Sequence, residues 1–349
     1  MLRRLVLAST PVAVAVTWAA FATAQPADSV PAPLNGVPLA EGTGLALLVA
    51  SNPPFVIDVD TGRITHVRGL DVRDEPVLTV LNVGKYTVVW LQRRVTGRSI
   101  PQAEIYVVRD GTTRATRIAT ASEVAPSPDG AGVWLKSYVS RGRCSLREVD
   151  LDGRLRTRPW SVACSSRLVN AGGRALLVQG TRIVEPASRW TLARAPLALT
   201  FSREVLVTAT GRQGSVVLND VRTGRTTRLA YPSRIRGQGG FDQALVDPTG
   251  RFVAVSFADP AYELSATQVT DVWLLDTERG TLRQLPDMPA AVSLKRTSMA
   301  WAPDGGLVIL AEVAERTLVA VWRPGEERLS VRSIRLPVRA SGSDAFVVR

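Results

Sequence analysis

Glycine-terminated turns of one kind recur along this chain at intervals that only a repeated supersecondary unit explains. Asp58-Val59-Asp60-Thr61-Gly62, Arg109-Asp110-Gly111, Asp150-Leu151-Asp152-Gly153, Asp220-Val221-Arg222-Thr223-Gly224, Asp276-Thr277-Glu278-Arg279-Gly280 and Arg323-Pro324-Gly325 each follow an apolar run. A second turn, seen as Pro128-Asp129-Gly130, Pro248-Thr249-Gly250 and Pro303-Asp304-Gly305, precedes runs such as 133–135, 252–255 and 307–311. Proline presets φ, aspartate hydrogen-bonds its own backbone, and glycine accepts the left-handed geometry of a tight turn. From glycine to glycine the first series steps by 49, 42, 71, 56 and 45 residues. The step of 71 is too long for one unit, and it accommodates a degenerate one with strands at 175–178, 183–185 and 190–193 but no Asp-Gly turn. The units then number seven.

The clearest unit, residues 298–336, packs four short strands into about forty residues. Its strands are apolar on both faces, so it needs a neighbour on each side. The expectation is an all-β ring: seven blades of four antiparallel strands. In the first unit, strands are predicted at 45–50, 55–59 and 64–67, but none precedes them as an innermost strand. A surplus apolar strand at 345–348 is expected to fill that vacancy and close the ring. In its paired turns the chain resembles the secreted TolB-like and Trp-Asp-repeat-like β-propellers, over roughly residues 45–349. The resemblance implies the propeller fold and leaves function open, because propellers host enzymes, scaffolds and receptors alike. The Gly-His and Trp-Asp pairs of true Trp-Asp repeats are missing.

Met1-Leu2-Arg3-Arg4, an uncharged apolar stretch to Ala24 and the small-x-small ending Ala22-Thr23-Ala24 read as a signal peptide over residues 1–24, with an uncleaved anchor as the alternative. Residues 25–44, rich in Pro, Ala and Ser toward their start, read as a flexible lead, and 45–349 as the propeller. A secreted or cell-envelope location follows, with no membrane span after cleavage. The formal charge is +12, and 40 of the 43 basic residues are arginine. These are interspersed with carboxylates over most of the length, which argues against nucleic acid as a partner. Cys144 and Cys164 are the only cysteines, and in an exported chain they are expected to form a structural disulfide.

Catalytic patterns are thin. A single histidine, His66, excludes a multi-histidine metal site, and there is no Gly-x-Ser-x-Gly elbow. Gly237-Gln238-Gly239-Gly240 lacks the strand-to-helix setting of a phosphate loop. No metal or cofactor is expected. In the predicted topology the short turns share one face, and longer connections, 92–103, 232–244, 258–270 and 286–297, share the opposite rim. They carry Arg93, Arg94, Arg98, Arg234, Arg236, Tyr262, Glu263, Lys295 and Arg296, a basic and partly aromatic set suited to a protein patch or an anionic envelope component. Abundant arginine that merely keeps loops soluble is the other account. The expected function is a monomeric, non-catalytic binding module. The alternative is a lyase- or glycosidase-type propeller enzyme using Asp242, Glu263, Tyr262 and Arg236 at the channel mouth, with Asp71, Asp74, Glu75 and Asp287 as further loop carboxylates.

Overall fold

In the computed structural model the described residues are 32–72, 77–92, 102–195, 197–209, 214–232, 240–258, 267–293, 297–313, 316–337 and 346–349. They form seven antiparallel sheets and no helix. Blade 2 comprises Val77–Val83, Tyr86–Gln92, Ala103–Arg109 and Ala115–Ala121, in that order from the inside outward. Blade 3 comprises Glu123–Pro126, Gly132–Ser140, Arg143–Asp150 and Trp160–Ala163. The degenerate unit is blade 4, with Arg167–Asn170, Ala175–Gln179, Arg182–Val184 and Thr191–Arg194. Blade 5 follows with Leu197–Ser202, Val205–Ala209, Ser215–Asp220 and Thr226–Ala230. Blade 7 runs Thr297–Trp301, Leu307–Val313, Arg316–Trp322 and Ser330–Ile334.

Blade 1 is built from both ends of the fold. Phe346–Val348 is its innermost strand, paired antiparallel with Ala46–Val49, and Phe55–Asp58 and Ile64–His66 complete it. Alternation along this closing strand explains why it belongs there. Phe346 and Val348 face the core shared with blade 7, while Val347 faces the core shared with blade 2. The same logic runs round the ring. Seven apolar clusters fill the seven blade-to-blade interfaces, so each blade buries both its faces. This is a seven-bladed β-propeller.

Blade 6 departs from the pattern. Its third strand, Thr267–Asp276, follows Gly240–Val246 and Phe252–Ala258 and is long enough to carry two outer partners. Thr281–Gln284 pairs its second half and Ala290–Ser293 its first. Residues 258–270 and 286–297, read from sequence as long loops, are therefore partly strand. Val269 and Thr270 are both buried, and Thr267–Thr270 pair with Ala290–Ser293 as part of the sheet.

The described part of the proline-rich lead is not free chain. Ala32–Pro33 pairs parallel with Ala290–Ser293, and Val37–Pro38 pairs parallel with Ser330–Ile334, so this segment straps the outer edges of blades 6 and 7. The Val37 and Leu39 amides donate to Leu329 O (2.8 Å) and Val331 O (3.0 Å), and Leu34 and Leu39 are buried. Gly36 is required at the crossing, where a β-carbon would stand 2.2 Å from Leu329 O.

Candidate functional site

The hairpin turns between first and second strands and between third and fourth strands share one face. There the aspartates of the repeat cap their own turns. Asp58 accepts the Thr61 amide, Asp150 those of Asp152 and Arg154, and Asp220 those of Arg222 and Thr223. These bonds hold all three carboxyls below the usual aspartate range, with a backbone amide (Thr61, Arg154, Thr223 respectively) as the main cause.

Arginines stitch the same face together. Arg156 bridges Asp129 (2.6 Å) and Glu148 (2.8 Å), and it is the main cause of the lowered Asp129 carboxyl. Arg251 bonds Asp276 (2.8 Å), Arg109 of blade 2 reaches Asp152 of blade 3 (3.1 Å), and Arg203 of blade 5 reaches Glu278 of blade 6 (2.6 Å). Close approach demands glycine in places. Gly153 has φ 87° and faces Ile118 O of blade 2, which a β-carbon would meet at 2.6 Å.

The seam between blades 7 and 1 carries the densest of these networks. Arg332 donates from Nη1 to Val59 O (3.1 Å) and Asp60 Oδ1 (2.8 Å), and from Nη2 to Leu39 O (3.1 Å) and Ala40 O (2.7 Å). Asp60 also accepts the Thr43 hydroxyl (3.0 Å) and the Gly44 amide (2.7 Å). Burial pushes the Asp60 carboxyl up, but the Gly44 amide, Thr43 and Arg332 together hold it below the usual range. Beside this network lies a cleft of about 180 Å³, where blade 1 has no hairpin turn between its first two strands. Leu39, Leu45, Val308, Val321 and Val348 line it, with Asp304 and Arg323 paired at 3.2 Å. The Asp304 carboxyl is lowered chiefly by the Gly306 amide. Thr43 and Arg349 add polar groups to this otherwise largely apolar lining.

Of the residues expected from sequence on the opposite rim, Arg93, Arg94, Arg98, Arg234, Arg236, Tyr262, Glu263, Lys295 and Arg296 lie outside the described residues, as do Asp74 and Glu75. So does the Asp242 side chain, although its backbone belongs to Gly240–Val246. Asp287 is engaged by Arg328 (2.7 Å) and the Leu329 amide (2.9 Å), a structural clamp at the entry to the outer strand of blade 7. Asp71 is also engaged. His66 packs edge-on against its cross-strand partner Phe55, with ring centroids 6.2 Å apart. Among the described residues, no three of His, Cys, Asp and Glu converge as a metal-binding group.

Cys144 and Cys164 form a disulfide on this rim, tying the third strand of blade 3 to the connection into blade 4. Next to it is a feature that the sequence reading missed. Lys136, buried in the second strand of blade 3, donates to Glu123 Oε1 (2.7 Å) and to Ser166 O of the connection into blade 4. The Leu168 amide bonds the other oxygen of Glu123. Its sequence signal was a lysine, one of only three, at an inward position of the run Val133-Trp134-Leu135-Lys136.

No family model and no curated protein matches this chain. Solved structures do match its fold. A prolyl endopeptidase structure is 10% identical with TM-score 0.56, over 84% of this chain and 48% of the other. An acylaminoacyl peptidase from Pyrococcus horikoshii is 12% identical with TM-score 0.51, over 88% and 52%. A protein from Lactobacillus plantarum is 13% identical with TM-score 0.53, over 88% and 99%. The chain thus spans about half the length of the peptidases it matches, and at these identities the likeness is one of fold.

Proposed function

We propose that this propeller is an exported, non-catalytic binding module of TolB-like kind, presenting a basic loop rim to a protein or anionic envelope component. The observation that carries the reading is the division of roles between faces. On the turn face, Arg109, Arg156, Arg203, Arg251, Arg323 and Arg332 are each committed to a carboxylate, so that face is internally neutralised. Arg93, Arg94, Arg98, Arg234, Arg236, Lys295 and Arg296 belong to connections whose flanking strands end on the other rim. With Tyr262 and Glu263 they form a recognition set for opposite charge. The disulfide supports an oxidising compartment, in line with removal of residues 1–24 on export.

Combined charge reversal at Arg94, Arg234 and Arg236 tests this reading. The variant should lose retention on immobilised envelope material that holds the parent protein, while its melting temperature stays nearly unchanged. Retention equal to the parent's defeats the rim as the binding surface.

A further inference from the structure

Blade 4 is the one blade whose turns lack the aspartates of the repeat, and its electrostatics change accordingly. Between Gly153 and Arg203 the chain has eight arginines and a single carboxylate, Glu185. Glu185 is already engaged by Arg174 and by the Ser188 hydroxyl. Among the described residues no carboxylate pairs with Arg182 or Arg194, yet they stand directly opposite each other on the two outer strands. Arg117 in blade 2 and Arg332 in blade 7, also on outer strands, each meet a carboxylate.

The register sharpens the point. The Ala195 amide donates to Thr181 O (2.8 Å), which makes Thr181 and Ala195 a hydrogen-bonded pair. Arg182 and Arg194 are then the adjacent non-hydrogen-bonded pair, the kind whose side chains approach most closely. Like charges so placed destabilise a sheet, and no carboxylate among the described residues offsets them. The Thr191 hydroxyl accepts from Arg182 Nε (2.9 Å), orienting a guanidinium whose terminal nitrogens stay open. The same register turns the N–H and C=O of Arg194 outward, to an edge that no other described strand covers. At the head of this strand stands Trp190, 75% exposed, the most exposed large apolar side chain described.

We propose that the outer edge of blade 4 is a docking site for an extended acidic segment of a partner protein, added as a fifth strand. Main-chain hydrogen bonds would run along Thr191–Arg194, alternate carboxylates would meet Arg182 and Arg194, and an apolar side chain would cover Trp190. The ring already accepts strands in this way, since residues 32–38 add to the outer edges of blades 6 and 7. The arginine pair repels basic segments and selects acidic ones. This site is separate from the loop rim, so the triple reversal at Arg94, Arg234 and Arg236 leaves it intact.

The probe is a labelled peptide of about eight residues alternating Glu and Val, long enough for one strand, titrated against the whole protein by fluorescence anisotropy. Binding should weaken with salt and shift the Trp190 emission, a shift that Trp190→Phe removes. Joint Arg182→Glu and Arg194→Glu substitution should weaken binding at least about tenfold, with circular dichroism reporting that the sheets persist. Arg194→Pro, which also deletes the outward N–H, should lose more than Arg194→Gln. Absence of binding, reversal variants that bind as the parent does, or equal binding of a proline-interrupted peptide or an acidic polysaccharide would each overturn strand addition at this edge.

Discussion

Arg332 is the single side chain on which strap, blade 7 and blade 1 converge, and replacing it with methionine isolates that role. Methionine keeps most of the aliphatic volume and removes all four hydrogen bonds. A bond to a charged group is worth about 1.5–3 kcal/mol net, but four bonds on one guanidinium are not additive. The strap carbonyl of Ala40 is exposed, so water can replace its donor. The loss therefore concentrates on Asp60 and on the carbonyls of Val59 and Leu39. Both side chains of the ion pair are more than four-fifths buried (18% and 17% exposed), so screening discounts the pair less than on an open surface. We expect a cost of about 2–3 kcal/mol, read in urea as a midpoint lowered by roughly 0.7–1 M at a slope near 3 kcal/mol/M. Arg332→Lys should recover less than half of it, because one ammonium cannot reach both the Val59 carbonyl with the Asp60 carboxylate and the carbonyls of Leu39 and Ala40. Hydrogen exchange gives the site-specific check: the Val37 and Leu39 amides, bonded to Leu329 O and Val331 O, should lose protection before the blade cores do. A methionine variant within about 0.5 kcal/mol of the parent, or strap amides exchanging at the parent's rate, would refute the clamp.

Other consequences can be measured directly. Thiol titration of the unfolded, unreduced protein should find no free cysteine, and joint replacement of Cys144 and Cys164 by serine should cost about 3 kcal/mol for a closed loop spanning 20 positions. An unchanged unfolding midpoint in that variant would contradict it. The turn-face carboxylates set the acid response. Asp60, Asp129, Asp276 and Asp304 are all held below the ordinary value of 3.8, so their stabilisation is complete above it and is lost as pH falls through their folded values. The melting temperature should decline steadily below about pH 4, and a flat or rising profile would count against the arginine stitching.

The ring was legible because its signals are local. The Asp-Gly turns mark hairpins wherever they occur, and the unbroken apolar start of strands such as Leu307–Val313 announces burial on both faces. Even the closing strand could be read, since Phe346, Val347 and Val348 are apolar without interruption and must be covered on both sides. The strap was not legible. Its pairing depends on backbone groups of Ala290–Ser293 and Ser330–Ile334, hundreds of positions away, and its proline content mimics a free linker. Blade 6 misled for a related reason, since two outer strands share one long partner, an arrangement no turn motif announces. At the candidate sites, residue type alone picked arginines in long connections. The opposed Arg182 and Arg194 became visible only once register put them face to face.

Building blade 1 from both ends of the fold has a kinetic corollary. Arg332 and Leu39 are 293 positions apart, and the pairing of Leu47 with Val348 spans a comparable length. The entropy of closing so long a loop grows only logarithmically, but it must be met before the seam contacts form. Six blades can zip from neighbour to neighbour while Ala46–Val49 still lacks its inner partner. On that route the ring closes by docking one three-residue strand, and an unpaired apolar edge stands open to other chains until it docks.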